Sequence, residues 1–174
     1  KSLPEQEICG LNLTVPHKDA AMDYVDEVAP LARRVGAINT NVVRPDNTLH
    51  GSNTDVYGFT QNLLAAGFRR SGGAATLLGA GGAARAALVA LLDMGFKDIR
   101  IVNRTQTKAM KLAQEFDVRK IHVYEWGDAE ALEGSGLLAN ATSLGLKGQP
   151  PLGLPLDALP REAWVTDMVY APLE

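Results

Sequence analysis

The 174-residue chain is 46% hydrophobic and 21% charged, with a formal net charge of -3 and a pI near 5.6; this excludes a disordered chain and offers no basic field for a nucleic-acid backbone. One cysteine, Cys9, excludes an internal disulfide framework and reads as a small core residue; no combination of it with His17, His50 and His122 has metal-site spacing, so no metal is expected. No apolar run approaches the roughly twenty residues that span a bilayer, and no signal-peptide pattern opens the sequence, so no membrane partner and a cytoplasmic location are expected.

In chain order, ICGLNLT reads as a strand. HKDAAMDYVDEVAPLARRVG reads as helical stretches interrupted by Pro30 and closed by Gly36, and AINTNVVRPDNTLHGSNTD as two short strands around a PDN turn. TDVYGFTQNLLAAGF follows as an amphipathic helix ending at Gly67. RRSGG at Arg69 to Gly73 breaks the style of the chain, and the domain boundary falls there: residues 1–70 form one unit with its connecting helix, residues 71–174 the other. The second unit alternates strand and helix: ATLLGAGG, AARAALVALLDMG, DIRIVNRT, TKAMKLAQEF and KIHVYEW. A short helical stretch then leads into GLLANATS, and a Pro/Gly-rich loop from Gly145 to Pro155 precedes the last strand, WVTDMVY. Strands without polar alternation, separated by helices, predict an α/β fold with a parallel sheet.

Gly79, Gly81 and Ala84 fit G-x-G-x-x-A between a predicted strand and a predicted helix. The first glycine permits a tight turn and the second lets a pyrophosphate approach the backbone. The small third residue allows close packing, with the helix N-terminus facing the phosphates. The bland alternative is a tight connection that binds nothing. About twenty positions on, where a carboxylate commonly grips the ribose of NAD, the next strand ends in Asn103-Arg104-Thr105. Arg104 can pair bidentately with a 2′-phosphate that a carboxylate would repel, and Thr105 and Lys108 can join it, so NADP is the expected cofactor. Taken alone, the same residues would simply cap and solvate the next helix.

Two further clusters, Asn12 to Lys18 and Gly51 to Asp55, are only partly explained by structural needs. Thr14 and Pro16 have ready roles at a helix start, which leaves Lys18 as surplus; Asp55 can be a helix N-cap and Asn39 a turn residue.

Together these segments resemble the shikimate dehydrogenase family. GLNLTVPHK resembles the family's catalytic-lysine stretch, with Leu13 where the family has valine. GAINT, GSNTD, GAGGAAR, NRT, NATSLG and DMVYAP match its other motifs in order. The resemblance implies a Rossmann-type doubly wound parallel sheet preceded by an incomplete α/β substrate-binding domain. Its activity would be reversible NADPH-dependent reduction of 3-dehydroshikimate to shikimate, in aromatic amino acid biosynthesis. Carried over, Lys18 and Asp55 are the catalytic pair, and they bind substrate together with Thr14, Asn39 and Tyr170. Gly79, Ala80, Gly81, Gly82 and Ala83 hold the pyrophosphate, and Asn103, Arg104, Thr105 and Lys108 the adenosine phosphate. Thr142, Ser143, Leu144 and Met168 border the nicotinamide ribose.

Family members begin with a further strand-helix region carrying a Ser-x-Ser substrate motif and end with one carrying a substrate glutamine. Neither is found here, so the resemblance implies an internal fragment of weak or no activity by itself, with exposed edges open to self-association. A quinate/shikimate dehydrogenase and a noncatalytic NADP-binding module of the same fold are the alternatives; the presence of both Lys18 and Asp55 argues against the latter.

Overall fold

The computed structural model describes residues 3–69, 72–116, 119–169 and 171, and it distributes their strands between two sheets. The first contains β1 (Gly10–Asn12), β2 (Glu27–Val28), β3 (Thr40–Val43) and β4 (Leu49–Ser52), in the order β1-β3-β4-β2. β3 is antiparallel to both β1 and β4, whereas β2 runs parallel to β4. Between β2 and β3 lies α1 (Pro30–Val35), and α2 (Asp55–Ala65) leads out of β4 toward the second sheet.

Two features of this first part depart from the sequence reading. The stretch expected to be helical on both sides of Pro30 is a 3-10 turn at Ala20–Tyr24, then the strand β2, then α1. Pro30 starts that helix rather than interrupting one, because proline disfavours helical backbone at the preceding residue; Ala29 is extended, with ψ 146°. Gly36 closes the helix at φ +73°, in the left-handed region. Cys9, expected in the core, is exposed. It precedes β1 at the edge of the sheet, and neighbouring Leu11 is likewise exposed.

The second sheet is parallel throughout, with β5 (Ala74–Leu78) at its centre. On one side of β5 lie β6 (Ile99–Val102) and β7 (Ile121–Tyr124); on the other lie β8 (Ser135–Asn140) and β9 (Trp164–Asp167). This is the Rossmann-type arrangement the sequence predicts, and chain direction around β5 creates the switch point at which such sheets bind ligands. α3 (Gly82–Asp93) and α4 (Gln106–Gln114) cover one face. The 3-10 turn Ala129–Ala131, with Leu152, Leu154, Ala158 and Leu159, covers the other. Every residue of β5 is buried, as expected of a strand covered on both faces.

α3 is buried on more than one side because it is shared: Ala84, Ala86, Ala87 and Ala90 let it lie close both to the parallel sheet and to α1 and α2. One continuous apolar cluster therefore runs from Val35, Val56, Phe59 and Leu63 through α3 to Leu77, Ile101 and Leu137. Phe68, just past α2, packs edge-on against Trp164 of β9 at 5.6 Å between ring centroids, a second bridge between the two parts.

Leu77, wholly buried on the central strand, tests this core. Leu77→Ala is expected to destabilise the chain by about 2–5 kcal/mol. Urea unfolding should show a lowered midpoint at unchanged slope.

Candidate functional site

The glycine turn follows β5 directly. Gly79 has φ +110°, and a Cβ there would lie 3.0 Å from the Ala141 carbonyl oxygen and 3.3 Å from Thr142 Cγ2. Only glycine lets the end of β5 approach the end of β8 this closely. The Gly79 amide donates to the Val102 carbonyl at 2.8 Å, which seats the turn beside the end of β6. At Gly81 a Cβ would meet nothing within 4 Å, so this side of the turn faces open space; Gly81 is the N-cap of α3 and supplies no side-chain cap. A Cβ on Gly82 would sit 3.4 Å from Cβ and Cδ of Lys18. The structure thus brings the lysine of the first part onto the turn of the second.

Lys18 lies in the loop that leaves β1, and its ammonium donates to Asp55 Oδ2 at 2.6 Å. The two side chains are 14% and 21% exposed, enough to meet a ligand yet sheltered from bulk screening. Asn39 Nδ2 donates to the other carboxylate oxygen of Asp55 at 2.7 Å and to Thr54 Oγ1 at 2.9 Å, while its Oδ1 accepts from the Thr54 amide. Backbone contacts fix the same group: the Ile38 amide donates to the Lys18 carbonyl at 2.8 Å, and the Leu13 amide to the Asn39 carbonyl at 2.7 Å. Asp55 is the first residue of α2 but does not cap it; Thr54 occupies the cap position. Asn53, buried and overlooked in the sequence, supplies the acceptor for the Asp55 amide and donates to the Ala37 carbonyl. Its presence in GSNTD was the available signal. Thr14 is exposed in the same loop, and its carbonyl accepts from the His17 amide. Tyr170 lies outside the described residues.

A cleft of about 360 Å³ opens between the Val15 to Asp19 loop, the turn at Ala80 to Gly82, and α4, lined also by Arg85, Lys108 and Lys111. Lys18, Lys108 and Lys111 give it a positive wall. A larger depression of about 620 Å³ near Glu27 and Arg33 is an open surface remote from these groups. The smaller cleft, at the carboxyl ends of the parallel strands, is the candidate site. Arg104 and Thr105 are exposed, Arg104 has no ion pair among the described residues, and Asn103 Nδ2 donates to the Thr105 carbonyl at 2.8 Å.

Beyond Gly79, Thr142 borders the turn's other flank and Ser143 after it is exposed, whereas the Leu144 side chain is buried. Met168 is half-buried against the core, and its amide donates to the Asn140 carbonyl at 3.0 Å. No described helix is long and apolar enough to cross a membrane, and no cluster of three His, Cys, Asp or Glu among the described residues can hold a metal.

Arg85, one turn into α3, was not singled out in the sequence. Its guanidinium donates to the Val35 carbonyl at 3.3 Å and to Glu115 at 2.6 Å, tying α3 to the end of α1 and to α4. With Arg34 and Asp93, paired bidentately at 2.7 and 3.0 Å, it pins the two parts together.

A Rossmann-type parallel sheet whose glycine turn meets the stem of a carboxylate-paired lysine defines the class of fold and site. The chain belongs to the shikimate dehydrogenase family. Residues 1–41 match the shikimate dehydrogenase substrate binding domain and residues 64–143 match shikimate / quinate 5-dehydrogenase. It is 48% identical, over 99% of its length, to the NADP(+) shikimate dehydrogenase of Paramagnetospirillum magneticum, but spans only 63% of that relative. Among solved structures, the shikimate 5-dehydrogenase of Thermus thermophilus in complex with NADP(H) and shikimate is 38% identical with a TM-score of 0.81, matching 95% of this chain and 60% of that one. The quinate dehydrogenase of Corynebacterium glutamicum in complex with NAD is 27% identical with a TM-score of 0.88, matching 99% and 63%.

The hydrogen bond from Arg85 holds the Glu115 carboxyl below the usual glutamate range, against the opposing effect of burial. A lowered folded-state value stabilises above the unfolded value of about 4.3, and that contribution is lost as pH falls through the folded one. Arg85→Gln should therefore raise the Glu115 titration, followed by carboxyl NMR. The pH-dependent part of its stability deficit should shrink on acidification.

Proposed function

We propose that the protein is an oxidoreductase catalysing the reversible NADPH-dependent reduction of 3-dehydroshikimate to shikimate in aromatic amino acid biosynthesis, with Lys18 and Asp55 as its catalytic pair. The observation that carries this reading is the Lys18, Asp55 and Asn39 cluster, whose Lys18 stem lies against Gly82 of the glycine turn. In this reading the chain divides at residues 70 and 71 into a substrate part and a cofactor part, and it acts in the cytoplasm. Self-association, the remaining expectation, would draw on the exposed Leu11 and Val42.

The residues fit NADP. Gly81 leaves open space before the N-terminus of α3, where backbone amides and the helix dipole favour a pyrophosphate. Arg104, exposed and without an ion pair among the described residues, suits a 2′-phosphate, joined by Asn103, Thr105 and Lys108. Ala80, Gly82 and Ala83 complete the pyrophosphate side with Gly79, and Thr142, Ser143, Leu144 and Met168 would border the nicotinamide ribose. When bound, NADPH supplies the hydride that reduces the ketone.

Reduction builds negative charge on the ketone oxygen, which must then receive a proton. The Lys18 ammonium supplies both the charge and the proton. Asp55 orients that ammonium through Oδ2 and accepts from a substrate hydroxyl, and Asn39 holds the carboxylate through Oδ1. Thr14 and Tyr170 add substrate contacts. In the reverse direction, the neutral amine takes the proton back from the alcohol.

A quinate-accepting dehydrogenase is the second reading, supported by the likeness to the quinate enzyme of C. glutamicum. Arg104 favours NADP and with it the shikimate reading; parallel assays with quinate and shikimate decide between them.

The primary test is titration with NADP and NAD followed by 3-dehydroshikimate reduction, on this chain and on the chain extended to its relatives' length. A saturable preference for NADP is expected, with turnover only in the longer chain. No preference for NADP would defeat the cofactor assignment. In the longer chain, Lys18→Ala should lower turnover by roughly 10²- to 10⁴-fold while NADP binding persists. Arg104→Asp should weaken NADP by about tenfold or more and leave NAD little changed.

A further inference from the structure

We infer that Asn140 is a positioning residue that, with Asp167, fixes the 142–144 loop in the shape required to receive the nicotinamide half of the cofactor. The inference rests on the NADP reading above and goes beyond it, because the Asn140 side chain is buried, 3% exposed, and acts through its neighbours.

Asn140 ends β8, and its amide group is fully used. Oδ1 accepts from the Thr142 amide at 3.0 Å and from the Thr142 hydroxyl at 2.7 Å. Nδ2 donates to Asp167 Oδ1 at 3.0 Å and, at 3.4 Å, to the Leu144 carbonyl. With its hydrogen spent on Asn140, the Thr142 hydroxyl accepts from the Leu144 amide at 3.1 Å. Asp167 Oδ1 accepts in turn from the Val169 amide at 2.8 Å, and the Asn140 carbonyl accepts from the Met168 amide.

The partners dictate the orientation of the side chain. The Thr142 amide can only donate and the Asp167 carboxylate can only accept, so flipping the Asn140 amide would oppose donor to donor and acceptor to acceptor. A side chain that cannot turn, at the end of a buried strand, holds both loops that leave the carboxyl ends of β8 and β9. Thr142 in turn lies 3.3 Å from where a Gly79 Cβ would stand, so the position of the loop is referred directly to the glycine turn. No shorter route in the described hydrogen bonds connects Leu144 to Val169.

Asn140→Asp keeps shape and volume but sets a carboxylate against Asp167. Asp167→Asn is a milder change that removes the charge opposite Nδ2. The readout compares two ligands: NADP, and adenosine 2′,5′-bisphosphate, which has the adenosine phosphates but no nicotinamide half. Binding is measured by calorimetry on this chain, with circular dichroism to verify folding. Asn140→Asp is expected to weaken NADP by about tenfold or more while the bisphosphate stays within about twofold of the parent; Asp167→Asn should move affinities in the same direction by less. Equal losses on both ligands in either folded variant, or unchanged NADP affinity in both, would overturn the inference while leaving the cofactor reading intact. Failure of the unsubstituted chain to bind NADP would overturn both. Independently of any variant, amide exchange at Thr142, Leu144 and Val169 must be protected in the ligand-free chain; exchange at unprotected rates would equally refute the network.

Discussion

The end of β5 and the end of β8 meet at a distance that admits no side chain, and much of the site follows from that contact. With Gly79 at φ +110° against Ala141, the turn drops α3 into place between the parallel sheet and the helices of the first part. α3 then presents Gly82 to the Lys18 stem, which brings the lysine to the cofactor-type turn without any bond between their functional groups. The alanines of α3 serve the same end. Larger residues there would push α1 and α2 outward, and Asn39 and Asp55, placed just after α1 and at the start of α2, would move with them.

The polar cluster is built so that no charge is left alone. Lys18 and Asp55 are mostly shielded, so removing one would strand the other in a poorly solvated place, whereas together they satisfy each other. Asn39 occupies the second carboxylate oxygen, which leaves the carboxylate little freedom to rotate away from the lysine. Asn53 plays the equivalent part for the backbone of Asp55. Two neutral amides therefore position an ion pair, an economical choice because amides supply direction without adding net charge.

How much of this was legible in the sequence depended on the range of the interaction. The glycine turn and the strand-helix alternation are local signals, and Gly79 to Ala84 runs from the end of β5 into the first turn of α3. The β2 strand was not legible: two residues take strand geometry only because β4 lies beside them, and nothing within Asp26 to Ala29 announces that neighbour. Cys9 misled for a related reason, since its burial depends on what covers the edge it lies on. Lys18 and Asp55 could be suspected as surplus charges, but their 2.6 Å pairing, 37 residues apart, is a tertiary fact. Asn140 and Asp167 sat inside quoted motifs and drew no attention, because a buried amide linking two strand ends has no sequence period.

The connections between the two parts are unlike in kind, and the difference bears on how the site is held. Near Gly82 the contact is apolar, the Lys18 stem on the turn, and it is continuous with the core that runs through α3. At the far end of α3 it is ionic and half-exposed, through Arg34 and Asp93, which individually contribute little. Arg85 stands between the two: its guanidinium is mostly buried and reaches the Val35 carbonyl, whose following residue, Gly36, leaves room where a Cβ would lie 2.7 Å from the guanidinium nitrogen. Gly36 thus has two reasons to be glycine, its left-handed backbone and this close approach. Since Ala37, Ile38 and Asn39 follow directly, the arginine on the cofactor-type helix anchors the segment that delivers Asn39 to Asp55. Geometry at the candidate catalytic pair is therefore set from both sides of the cleft, by the turn through Gly82 and by α3 through Arg85.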